Sequence, residues 1–137
     1  MGSTNMSDID EDPKPNGILT LQTLTMPADT NSNGDIFGGW LLSQMDLAGA
    51  ILAHDYAEGR VTTVAVGGMS FLRPVPVGAT VSCYTQAIET GRSSVRMLVE
   101  VWIKSNRTGG VEKVTEGEFV YVAIDDNGRT RPLKRKL

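Results

Sequence analysis

Residues 40–56 read as a helix that is apolar on nearly every side, with Trp40, Leu41, Leu42, Met45, Leu47, Ala48, Ile51, Leu52 and Ala53. Such a helix has no face to offer water and must be enclosed by protein. At 137 residues the chain is one domain, so a single set of surrounding elements has to do the enclosing. One carboxylate, Asp46, interrupts the apolar run. Burying an ionised carboxylate is costly unless it is paired or hydrogen-bonded. A carboxylate beside a helix start rich in free backbone N–H donors is therefore a candidate for chemistry.

The flanking sequence supplies strands. Residues 1–15 carry Asp8, Asp10, Glu11 and Asp12 with two prolines and almost no apolar content, so disorder is expected there. Residues 18–26 read as a strand stopped by Pro27, and residues 29–39 as an Asn-, Asp- and Gly-rich loop. Glu58 and Gly59 end the helix. Four strand-like segments follow at 60–71, 80–89, 94–104 and 113–124, separated by Gly, Pro and Asp-Asn signals. In the third, Val95, Met97, Val99, Val101 and Ile103 alternate onto one face. The order β-α-β-β-β-β predicts an α+β fold, an antiparallel sheet wrapped around one long central helix. A single wrapped sheet leaves edges to manage, which favours pairing between subunits.

Composition narrows the function classes. The net charge of −3 gives no general reason for nucleic-acid binding. One cysteine, Cys83, and one histidine, His54, rule out an intramolecular disulfide and make a soft-ligand metal site improbable, so no metal is predicted. No apolar run approaches the roughly 20 residues that span a bilayer, and the polar, acidic start is no secretory signal; no membrane association is expected, and a cytoplasmic location is the default. Ser43 has no histidine near it in sequence, which argues against a serine triad.

The stretch Met26-Pro-x-Asp-Thr-Asn31-x-x-Gly-x-Ile-Phe-Gly-Gly39-Trp, with Ser43-Gln-Met-Asp46, resembles the hotdog-fold acyl-CoA thioesterases of the bacterial YciA type. The resemblance continues through Gly68-Met-x-Phe71-Leu-Arg-Pro-Val-x-Val-Gly78, Gly91-Arg-Ser-Ser94, Glu100-Val-Trp102 and Tyr121-Val-Ala, covering roughly residues 17–131. Gly67 and Ala79 depart from it, since relatives often carry acidic residues there. The resemblance implies a hotdog domain over residues 16–131, followed by a basic tail at 132–137. It implies hydrolysis of acyl-CoA, with no cofactor beyond the CoA of the substrate. Asn31 and Asp46 would be the catalytic pair, contributed by the two subunits of a dimer, and the dimers would assemble as a hexamer.

The chemistry fits these residue types. Negative charge builds on the thioester oxygen during attack, and the unpaired N–H groups of Gly38, Gly39 or Trp40 at the helix start could receive it. Gly39 is the preferred donor, because a residue without Cβ leaves room for the thioester. Asp46 would act as general base on water, or as nucleophile through a mixed anhydride. Asn31 would orient water or thioester, and Ser43, one turn before Asp46, would be a supporting partner of Asp46. Arg92, Ser93 and Ser94 match the family segment near the CoA nucleotide and could meet its phosphates. Residues 129–136 carry five positive charges, which could hold the 3′-phosphate or remain solvated. The alternative class is a non-catalytic acyl-CoA-binding or sensing protein on the same fold. A hotdog dehydratase is the third reading, with His54 as its only histidine.

Overall fold

The computed structural model describes residues 14–104 and 109–137, so the disorder expected over most of residues 1–15 lies largely outside the described residues. The element order is β1 (Ile18–Leu24), a short 3-10 turn (Pro27–Asp29), α1 (Gly38–Ala57), β2 (Val61–Val66), β3 (Thr80–Thr90), β4 (Ser94–Lys104) and β5 (Val111–Ala123). The five strands form one antiparallel sheet in the order β1-β3-β4-β5-β2. Helix α1 packs against all five. The sheet wraps one side of the helix, so one chain does not supply the full enclosure expected from the all-round apolar sequence.

The core lies between α1 and the concave face of the sheet. Leu41, Met45, Ala48, Leu52, Ala53 and Ala57 meet Val81 and Cys83 of β3, the alternating set Val95, Met97, Val99 and Val101 of β4, and Phe119 and Tyr121 of β5. The other side of the helix is not covered by this chain: Leu42, Leu47 and Ile51 stay exposed. So do Val64 and Val66 on β2, which is an edge strand.

Two of the boundaries that differ from the sequence expectation bear on the site. The second strand ends at Val66 rather than near residue 71. Gly67 adds one more ladder bond, N–H to Glu118 O at 2.8 Å, and the chain then turns away at the Gly67-Gly68 pair. It runs back so that Ile36 N–H donates to Val75 O and Phe71 lies beside Gly38. The helix also begins two residues earlier than expected, at Gly38.

Past β5 the chain does not leave the surface. Leu133 is buried in the core cluster. The N–H groups of Lys134 and Arg135 both donate to Tyr56 O, Leu133 N–H donates to Arg92 O, and Lys136 Nζ reaches Gly91 O at 2.9 Å. Arg131 Nη1 donates to Ala57 O at 2.8 Å, placing a cation on the C-terminal end of α1, where the helix dipole favours it. On the convex face, buried Glu100 accepts hydrogen bonds from the Asn16 backbone and side chain and from Trp102 Nε1, and Lys113 Nζ lies 3.9 Å away. These bonds fasten the segment before β1 across the back of the sheet.

Candidate active site

The approach to the helix is built by Asn31. Its Oδ1 accepts the N–H groups of Asn33 at 2.9 Å and Asp35 at 3.2 Å, and its own N–H donates to Asp35 O at 2.7 Å. Side-chain bonds of this kind shape tight turns. They commit the carbonyl end of the amide to the loop and leave Nδ2 as the end that can face a ligand. Asn31 lines a cleft of about 390 Å³ together with Asp35, Gly38, Leu41 and residues 71–75.

Gly38 and Gly39 are the first two residues of α1. The N–H groups of Trp40 and Leu41 both donate to Phe37 O, at 3.1 and 3.3 Å. Trp40 is thereby removed as an oxyanion donor, leaving the amides of Gly38 and Gly39, which have no intrahelical acceptor at these positions. A Cβ on Gly39 would meet nothing within 4 Å, whereas one on Gly38 would touch the Phe71 ring. Gly39 is therefore the more open of the two.

Asp46 is half-buried in the third turn of α1 and is not among the residues that line the Asn31 cleft. Its partner is not Ser43, whose hydroxyl donates back to Trp40 O at 2.7 Å and supports the helix itself. The partner is Thr63 of β2, whose Oγ1 donates to Asp46 Oδ1 at 2.7 Å. Sequence reasoning missed Thr63, because nothing local distinguishes it from its neighbour Thr62. Tyr121 of β5 donates from its hydroxyl to the backbone carbonyl of Asp46, also at 2.7 Å. Burial, with the negative charge of Asp46, pushes this phenol well above the ordinary tyrosine range.

Within one chain, then, Asn31, Gly38 and Gly39 lie around the helix start, and Asp46 and Thr63 form a second group further along. Arg92, Ser93 and Ser94 lie at the opposite end. Ser93 O accepts Ala123 N–H, and the exposed Arg92 adjoins the basic tail, packed near the helix C-terminus. His54 is exposed in the last turn of α1, away from Asp46.

The sequence pattern of the Thioesterase superfamily matches residues 33–109. The acyl-CoA thioester hydrolase YciA of Salmonella typhimurium is 56% identical over 125 residues, spanning 89% of this chain and 94% of the relative. Among solved structures, the hexameric thioesterase of Yersinia pestis superposes with a TM-score of 0.83 at 57% identity, covering 88% of this chain and 98% of that one. The hexameric hotdog-fold thioesterase of Campylobacter jejuni does so with a TM-score of 0.81 at 36% identity, covering 86% and 91%. The chain belongs to the Thioesterase superfamily, as a hotdog-fold member related to the YciA acyl-CoA thioester hydrolases.

Proposed function

We propose that the protein hydrolyses acyl-CoA to a free carboxylic acid and CoA at sites shared between two copies of the chain. The observation that carries this reading is the spacing along α1. Gly39 and Asp46 are seven residues apart on one helix, about 10 Å of axial rise. An oxyanion donor and a general base must both come within about 3 Å of the reacting group or its water. One chain does not meet that requirement, and in this reading two chains related by a two-fold axis meet it. Asn31 and Gly39 then come from one subunit and Asp46 from the other.

Asp46 acts as general base. Thr63 occupies Oδ1, leaving Oδ2 to take a proton from water as the water oxygen bonds to the acyl carbon. The carbonyl oxygen gains charge against the Gly39 and Gly38 N–H groups, and Asn31 orients water or thioester through Nδ2. Collapse of the tetrahedral intermediate breaks the C–S bond, and Asp46 returns its proton to the leaving thiolate. Water is the only co-reactant.

The exposed apolar residues of α1 and the β2 edge support a homo-oligomer, because such a surface calls for a covering partner. We assign a hexamer built as a trimer of dimers, in keeping with the hexameric relatives. The CoA phosphates are assigned to Arg92, Ser93 and Ser94 with the adjoining basic tail. From Asp46 to Tyr56 the helix rises about 15 Å, a span that an extended pantetheine arm reaches.

The test is thiol release from a panel of C2 to C18 acyl-CoAs by wild type and Asp46→Ala. Turnover by the wild type that is lost in the variant supports the assignment. A folded oligomer that binds CoA but turns over none of the panel supports a binding protein instead.

A further inference from the structure

Asp46 is gripped at two points by one cross-strand pair. Thr63 and Tyr121 are direct partners in the β2–β5 ladder. One bonds the Asp46 carboxylate and the other its backbone carbonyl, both at 2.7 Å. The register slips immediately afterwards, between Thr63 and Ala65. Bulges at such places re-aim side chains, and here the last regular pair before the bulge is the one that meets Asp46.

Tyr121 reaches the helix only because residue 49 has no side chain. A Cβ at Gly49 would lie 2.2 Å from the phenol oxygen and 2.9 Å from two ring carbons. Glycine inside a helix costs about 1 kcal/mol relative to alanine, so the notch has a stability cost. The ring is fully buried and stacked on Phe119, with centroids 6.4 Å apart. A buried hydroxyl needs some acceptor. The helix, however, does not need this donor, because a mid-helix carbonyl already accepts the N–H four residues on.

Resting on the reading of Asp46 as general base, we propose that Tyr121, admitted by the notch at Gly49, is a positioning residue for hydrolysis. It fixes the backbone of Asp46 over the sheet while Thr63 fixes the carboxylate, so that Oδ2 is delivered to the water. The phenol stays protonated, and hence a donor, throughout the working range.

The test is a kinetic cycle of Tyr121→Phe, Asp46→Ala and the double variant, with oligomeric state and CoA binding followed alongside. Tyr121→Phe is expected to lower kcat about tenfold, as a small displacement of a catalytic group does, with KM held within about twofold. In the Asp46→Ala background the same change should barely alter the residual rate. An unchanged kcat, or the same loss in both backgrounds, overturns the proposal. If Tyr121→Phe does not assemble, Gly49→Ala keeps the phenol but wedges it away from the helix. A kcat-only loss is expected there too, and full kcat overturns the proposal. Wild-type turnover by Asp46→Ala would instead overturn the assignment of Asp46 itself.

Discussion

Thr63 Oγ1 lies 2.7 Å from Asp46 Oδ1, joining the edge strand to the third turn of the central helix. A hydrogen bond to a charged group is worth about 1.5–3 kcal/mol, and this one also fixes which carboxylate oxygen is free. Thr63→Val should lower kcat about tenfold or more, and Thr63→Ser should restore most of it. Equal kcat for Val and Thr would show that the bond has no part in the reaction.

Mixing two inactive variants tests the division of labour between chains. Asn31→Ala and Asp46→Ala oligomers, dissociated and reassociated together, should recover activity. In each hybrid dimer one site has both residues intact, so roughly a quarter of all sites return on statistical mixing. No recovery, with exchange confirmed by mass spectrometry, would place both residues in one chain's site.

Single turnover in ¹⁸O-labelled water distinguishes the roles of Asp46. General-base attack by water puts the label in the released acid and none in the protein. Label in the Asp46 carboxylate would establish the mixed anhydride instead.

Glu100 serves stability. Removing it in Glu100→Ala leaves the buried Trp102 Nε1 without its acceptor, at about 1–3 kcal/mol, whereas the exposed Asn16 amide turns to water. A loss of about 1–3 kcal/mol in denaturant unfolding is expected, with kcat of the folded fraction unchanged.

Cys83 is fully buried, and burial pushes its thiol from 9.0 up to about 12. The native thiol should not react with a chromogenic disulfide, so it adds no background to the thiol-release assay. Between pH 9 and 12 the unfolded chain loses this proton while the folded one keeps it. The stabilising contribution is thus complete below about pH 9 and is lost as the pH rises toward 12, by about 1.4 kcal/mol per unit. Cys83→Ala should flatten that alkaline slope in equilibrium unfolding; an unaltered slope would assign it to other groups.

Periodicity was a sound guide where packing is regular. The alternation of Val95 to Ile103 gave β4 its limits because each of those residues faces the same helix. It failed after Val66, where apolar residues continue to Phe71 but the Gly67-Gly68 pair turns the chain away from its partner strand. The helix start and Asp46 could be read locally, as could the turn at Asn31. Thr63 and Tyr121 could not, because their importance comes from a contact made across 17 and 75 residues. Ser43 had the right spacing for Asp46 yet bonds its own helix, the common alternative for a hydroxyl on a helix surface.

The C-terminal segment that folds back beside Arg92 carries five of the thirteen lysines and arginines of a chain whose net charge is −3. These side chains with Arg92 gather positive charge, and hence an electric field attractive to anions, near the C-terminal end of the helix. Such a field acts on a polyanion before any contact forms, and added salt shortens its reach. The fastening of Lys134, Arg135 and Lys136 to the body of the protein makes that field a fixed property of the fold.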